Sequence, residues 1–213
     1  RAVAHAGTDA DGLTVRFAQA GCRILLGDLA GGRPLVRDAL SDLAPLDPAV
    51  VDPERLRVLA EIMLAAAGSA WTHNAWELLG EVNDRIAALT AGLTDPDLDL
   101  LVAGMGCAAE LGGTDPDALA GLTARATAVH DRAVAQDNVT ATWIPCAVNN
   151  IVAQTLRDPD AGVPWTERLI TATGRLGMGG TGVYVEAMAN FLVMRGELAE
   201  AVTWYASAYT QTR

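Results

Sequence analysis

Lysine is absent from this chain, and all fifteen of its basic residues are arginine. A phosphate-gripping loop that ends in Gly-Lys-Ser/Thr is therefore excluded, as is Schiff-base chemistry on a side-chain amine. Cysteine is scarce, and Cys22, Cys107 and Cys146 lie far apart in apolar stretches without a C-x-x-C pair or a histidine at ligand spacing. They read as buried free thiols, which suits a reducing compartment. No apolar run reaches the roughly 18–20 residues of a helix that crosses a bilayer, and no signal-peptide pattern opens the chain. The expected setting is the cytoplasm, with no membrane partner. Basic charge is also in short supply, because the formal net charge is −11. A nucleic-acid surface would be built against that field, so no direct nucleic-acid contact is expected.

What remains is ample for a packed core, with 51 % hydrophobic residues over 213 positions. Apolar residues recur at three and four positions almost throughout, as in Leu56, Leu59, Met63, Leu64 and Ala67, or Tyr184, Ala187, Met188, Phe191 and Leu192. No stretch reads as a strand. Breaks fall at Gly, Pro and Asp clusters. Asp52-Pro53, Asp95-Pro96 and Asp115-Pro116 each offer a capping carboxylate followed by a ring whose missing N–H costs nothing in the first turn. Asn138 reads as a further helix start. The opening residues, Arg1 to Gly7, read as the tail of a helix ending in Gly7, and the chain stops in helical register, as an excised piece of a longer protein would.

Two segments lie over each other: Gly27-Asp28-Leu29 running to Ala39, and Gly196-Glu197-Leu198 running to Ala208. Each has a small residue (Gly32, Ala201) and then a larger apolar one (Val36, Tyr205) at the same offsets. Their separation is close to four steps of roughly 42 residues, a period that marks stacked helical hairpins. The spacing predicts ten helices in five hairpins. First helices start near residues 12, 53, 96, 138 and 180, and second helices near 31, 71, 115, 163 and 197. The expected fold is all-α, an α-solenoid of about five antiparallel helical hairpins forming one domain over residues 1–213.

The segment from Ala189 to Tyr209 resembles a tetratricopeptide repeat, with Gly196 at the turn and Ala201, Tyr205 and Ala208 at the small-aromatic-small spacing of that family. The first hairpin is a weaker copy. In texture and helical spacing the whole chain is similar to the C-terminal helical arrays of large actinobacterial switch-ATPase (STAND/LuxR-type) transcriptional regulators. That resemblance implies a sensor or regulatory arm, with ATPase and DNA-reading parts outside this chain.

Candidate chemistry is thin. Gly177 to Gly182 looks like a phosphate-cradling loop but follows a helical stretch rather than a strand, so it reads as a turn between helices. His5, His73 and His130 stand alone in sequence. His130-Asp131 is the one adjacent His/acid pair, and its members are expected to diverge on a helix surface. Ser41, Ser69 and Ser207 lack a nucleophile-elbow context. Asp95, Asp97 and Asp99 are explained by capping. Asn83-Asp84 and Asn149-Asn150 evoke the metal-binding acids of a helical cyclase, but no aspartate-rich cluster answers them. No catalytic residue, metal or cofactor is expected.

A polar stripe is more informative. Trp143, Ala147, Asn150 and Gln154 recur at helical spacing in an otherwise apolar helix and share a face. On the tetratricopeptide register Glu186 and Asn190 of the next hairpin turn the same way, so Trp143, Asn150, Gln154, Glu186 and Asn190 are the candidate groove. Glu186 stands where the family's carboxylate-clamping members place a cation, which implies a basic or neutral ligand. The expected function is a non-enzymatic scaffold that binds a protein segment or another domain of its parent chain. The alternative is a small-molecule effector pocket among the five tryptophans, and a helical lyase or cyclase is a third.

Overall fold

The computed structural model describes residues 2–71, 73–112, 115–177 and 182–211, and all regular structure among them is helical. The chain forms two compact units, residues 1–112 and 113–213. Ten α-helices start close to the expected positions. The exception is the first: one helix runs through Gly7 without a break, so the expected helix end there is absent.

The first unit holds α1 (Ala2–Leu25), α2 (Leu29–Leu43), α3 (Pro53–Trp71), α4 (Trp76–Thr90) and α5 (Pro96–Ala109). Helix α1 packs on α2 and α3, α3 on α4, and α5 on both α3 and α4. Leu13, Phe17, Ala20 and Ile24 form the buried stripe of α1, and Leu59, Met63 and Ala67 are buried on α3, which packs against it. At Gly21 a side chain would stand 3.1 Å from the Cα of Ala66, so the two backbones approach closely there. Cys22 falls outside this stripe and is exposed, which corrects the reading of three buried thiols. Cys107 and Cys146 are buried as expected.

The second unit holds α6 (Pro116–Ala135), α7 (Val139–Leu156), α8 (Pro159–Arg175), α9 (Gly182–Arg195) and α10 (Leu198–Gln211), each packed on the next. The expected third hairpin is thus divided, with α5 joining α3 and α4, and α6 joining α7. Ile144 to Asn150 of α7 are buried without interruption, so this helix is covered all round its middle turns. Phe191 of α9 is fully buried over Gly162 of α8, where any side chain would collide with its ring.

Local chemistry explains where the helices begin. Asp28, Asp52, Asp95, Asp115, Asn138 and Asp158 all accept a backbone N–H of the following turn on their side chains. It explains the turns as well. At Gly27, Asn74, Asp137, Arg157 and Gly196 the backbone enters the left-handed region, with φ of 87°, 54°, 51°, 54° and 80°. In all five the next residue donates its N–H to the carbonyl five positions back, in bonds of 2.9 or 3.0 Å. This is one recurring Schellman-type cap, built with and without glycine.

Candidate functional site

The expected groove residues do not form one open surface. Trp143 is half-buried in α7, and Gln154 is exposed near its end. Asn150 is only 3 % exposed and faces α8, not solvent. Its Nδ2 donates to Thr166 Oγ1 at 2.5 Å, and its Oδ1 accepts from Gln154 Nε2 at 2.6 Å. The Thr166 hydroxyl in turn donates to the Gly162 carbonyl at 2.8 Å. Asn150 is therefore the middle of a directed chain of hydrogen bonds that ties α7 to α8, and it is not available to a partner's backbone. Periodicity identifies which residues share a face, but only packing shows what covers that face.

Glu186 and Asn190 are one turn apart on α9, and both are exposed. Asn190 is already engaged, because the Tyr205 hydroxyl of α10 donates to its Oδ1 at 2.6 Å. The structure thus pairs Asn150 with Gln154 and couples Asn190 to α10. The residues between Gly177 and Gly182 lie outside the described set, so the glycine-rich loop is not described. Among the described residues no group of three or more His, Cys, Asp and Glu side chains is placed to hold a metal ion. No helix among the described residues is long and apolar enough to cross a membrane.

Large apolar side chains stand exposed on the last two helices. Leu198, Val202 and Tyr205 of α10 are 61 %, 67 % and 39 % exposed, at spacings that align them on one helix face. Val193 and Met194 at the end of α9 are exposed too. Flanking this stripe on the same helix, Ala201 packs with Met188 and Leu192 in the core of the pair.

A second feature was missed in the sequence. A cleft of about 340 Å³ opens between α6, α7 and α8, taking one face of each helix. Helix α6 supplies His130 and Val134, α7 supplies Thr142 and Cys146, and α8 supplies a stripe from Glu167 and Arg168 to Arg175. The spacing of four within α6 and α7, and of seven from Arg168 to Arg175, is what helical geometry requires of residues that face one gap. Each helix alone shows only an ordinary surface pattern, so nothing in the sequence marks the convergence.

Trp165, itself buried, orders one wall of this cleft. The Arg168 guanidinium lies 4.4 Å from the centre of its ring, and the His130 ring meets it edge-on at 5.2 Å. His130 Nδ1 also lies 3.2 Å from Asp131 Oδ1. This corrects the expectation that the pair diverges: neighbouring positions point about 100° apart, yet the short Asp131 carboxylate folds back along the helix surface to reach the ring. At the floor, burial pushes the Cys146 thiol up to about 12, with Arg168 pulling weakly the other way. The thiol stays protonated near neutrality and is a packing group, not a nucleophile.

No protein-family model, no curated protein and no solved structure matches this chain.

Proposed function

We propose that the chain is a helical-repeat interaction module that binds a protein segment or another domain of its parent protein. The observation that carries this reading is the exposed apolar stripe Leu198, Val202 and Tyr205 on the hairpin that bears the tetratricopeptide-like spacing. Contiguous exposed apolar side chains of this size mark interaction surfaces. The recurrence of one turn geometry at five places supports a modular origin. So does the equal spacing in sequence of the helices that begin at Pro53, Pro96, Val139 and Gly182. On this reading the hairpins are the rungs of a solenoid. The parent is a bacterial regulator of the switch-ATPase type, and this chain is its sensor arm.

The reading is tested with a photo-crosslinker at Val202, set beside one at Glu167, and with the double variant Leu198→Asp, Val202→Asp. A discrete adduct from position 202, and binding of the same species weakened about 10-fold or more by the double variant, is expected for an apolar anchor. Capture of the same proteins with equal affinity by wild type and double variant would remove the assignment.

A further inference from the structure

The cleft between α6, α7 and α8 is independent of the α10 stripe and has its own chemistry. Of its two arginines, Arg175 is engaged, with its guanidinium 3.5 Å from Asp137. Arg168 has no carboxylate at ion-pair distance among the described residues, and what holds it is the face of Trp165. A guanidinium fixed by stacking keeps its N–H fork free for an incoming anion, and the fork matches a carboxylate in a bidentate pair. One free guanidinium calls for one negative charge.

The remaining lining sets the rest of the ligand. Cys146 and Ala172 give a buried apolar floor and the exposed Val134 an apolar rim, which suits a hydrocarbon or aromatic body. The hydroxyls of Thr142 and Thr171 already donate, to the carbonyls of Val139 at 2.7 Å and Glu167 at 2.8 Å. Both hydroxyls therefore offer only acceptor lone pairs to the cleft, and the Glu167 carboxylate is an acceptor as well. A volume of about 340 Å³ is at the small end of ligand sites.

We infer that this cleft binds a small monocarboxylate with an apolar body and a hydrogen-bond donor at its far end, the carboxylate on Arg168 and the donor toward Thr171 and Glu167. Such a site lets a metabolite of that class report its concentration to a protein whose other surfaces bind macromolecules.

The test uses the whole chain and three probes: 4-hydroxybenzoate, benzoate, which lacks the distal donor, and methyl 4-hydroxybenzoate, which lacks the charge. Binding is followed by calorimetry, and its location by amide chemical-shift changes. The expected result is saturable binding of 4-hydroxybenzoate with shifts centred on α6, α7 and α8. Benzoate binds more weakly, and the methyl ester about 10-fold or more weakly, as a charged hydrogen bond is lost. Arg168→Met abolishes the difference between acid and ester, while Glu200→Gln on α10 leaves it intact. Equal binding of acid and ester by wild type overturns the proposal without recourse to any variant. So does an undiminished affinity of the acid for Arg168→Met, a shift pattern centred elsewhere, or no saturable binding of any of the three probes.

Discussion

The two units solve the same packing problem with different connectors and different cores. In the first, a tight left-handed cap at Gly27 or Asn74 alternates with a longer connection, such as residues 44–52 with the 3₁₀ turn Pro48–Val50. In the second, tight caps at Asp137, Arg157 and Gly196 follow one another at nearly every helix junction. The cores differ as well. Asn83 and Thr90 are the buried polar residues described in the first unit, whereas Asn149, Asn150, Thr166 and Thr173 are buried in the second. Polar side chains buried between packed helices need hydrogen-bond partners. In the second unit the partners of Asn150 are present on both sides. Each unit also buries one amide oxygen that has no partner among the described residues, Asn83 Oδ1 in the first and Asn149 Oδ1 in the second.

The largest test of this contrast is Gly162→Ala. Its Cβ would collide with the rigid ring of fully buried Phe191, and overpacking of this kind costs about 1–3 kcal/mol. Gly32→Ala in the first unit meets one atom at 2.5 Å, Ile24 Cγ1, and the Ala20 carbonyl oxygen at 3.2 Å, so with a single atom to displace and not a ring edge, urea denaturation should show a smaller loss there. Similar losses at both positions would mean that α8 and α9 are not packed more tightly than α1 and α2.

The polar cores give the next test. Asn150→Ala leaves Thr166 and Gln154 without their shared partner and is expected to cost about 1–3 kcal/mol. Asn83→Leu removes an unpaired buried oxygen at similar volume and should be close to neutral. Denaturation midpoints that fall equally for both would erase the distinction between the paired and the unpaired asparagine. Asn150→Ala is consequently a stability variant, unsuited to mapping a groove.

A smaller effect concerns the caps. Arg157 occupies a left-handed conformation that glycine adopts freely, so Arg157→Gly should raise stability by up to about 1 kcal/mol. Gly196→Arg should lower it by a similar amount, and thermal melts of the two variants would show shifts of opposite sign. Shifts of the same sign would show that the five caps are not equivalent.

The least perturbing test is thiol accessibility. In the native protein at neutral pH an alkylating reagent should label Cys22 of the first unit and spare Cys107 and Cys146, which react on unfolding. The Cys146 thiol is held protonated to about 12, against an ordinary value of 9.0. The unfolded chain thus loses this proton first as pH rises, and stability falls between those two values. Cys146→Ala should flatten that decline, as measured by melting temperature against pH.

Helix positions were legible in the residues because capping is local. The Asp-Pro pairs at 52–53, 95–96 and 115–116 each start an α-helix, whereas Asp47-Pro48 starts only a 3₁₀ turn, and Gly27 and Gly196 announce their turns by lacking a Cβ. Asn74, Asp137 and Arg157 take the same backbone conformation without that announcement. The helices on either side hold them there, so their turns could be placed only approximately. The candidate site was less legible. The stripe from Trp143 to Gln154 was a correct statement about one helix, yet Asn150 within it is enclosed by α8. Arg168, His130 and Cys146 carry no shared signal in the chain.

Composition and spacing alone determined that this protein is helical, where most of its helices begin, and which faces are apolar, because those properties depend on contacts within a few residues. Which polar groups are sealed inside, which thiol meets solvent, and that three helices line an open cleft with one uncommitted guanidinium were decided by tertiary packing. Residues distant in sequence share no local energy, and only the fold gives them one.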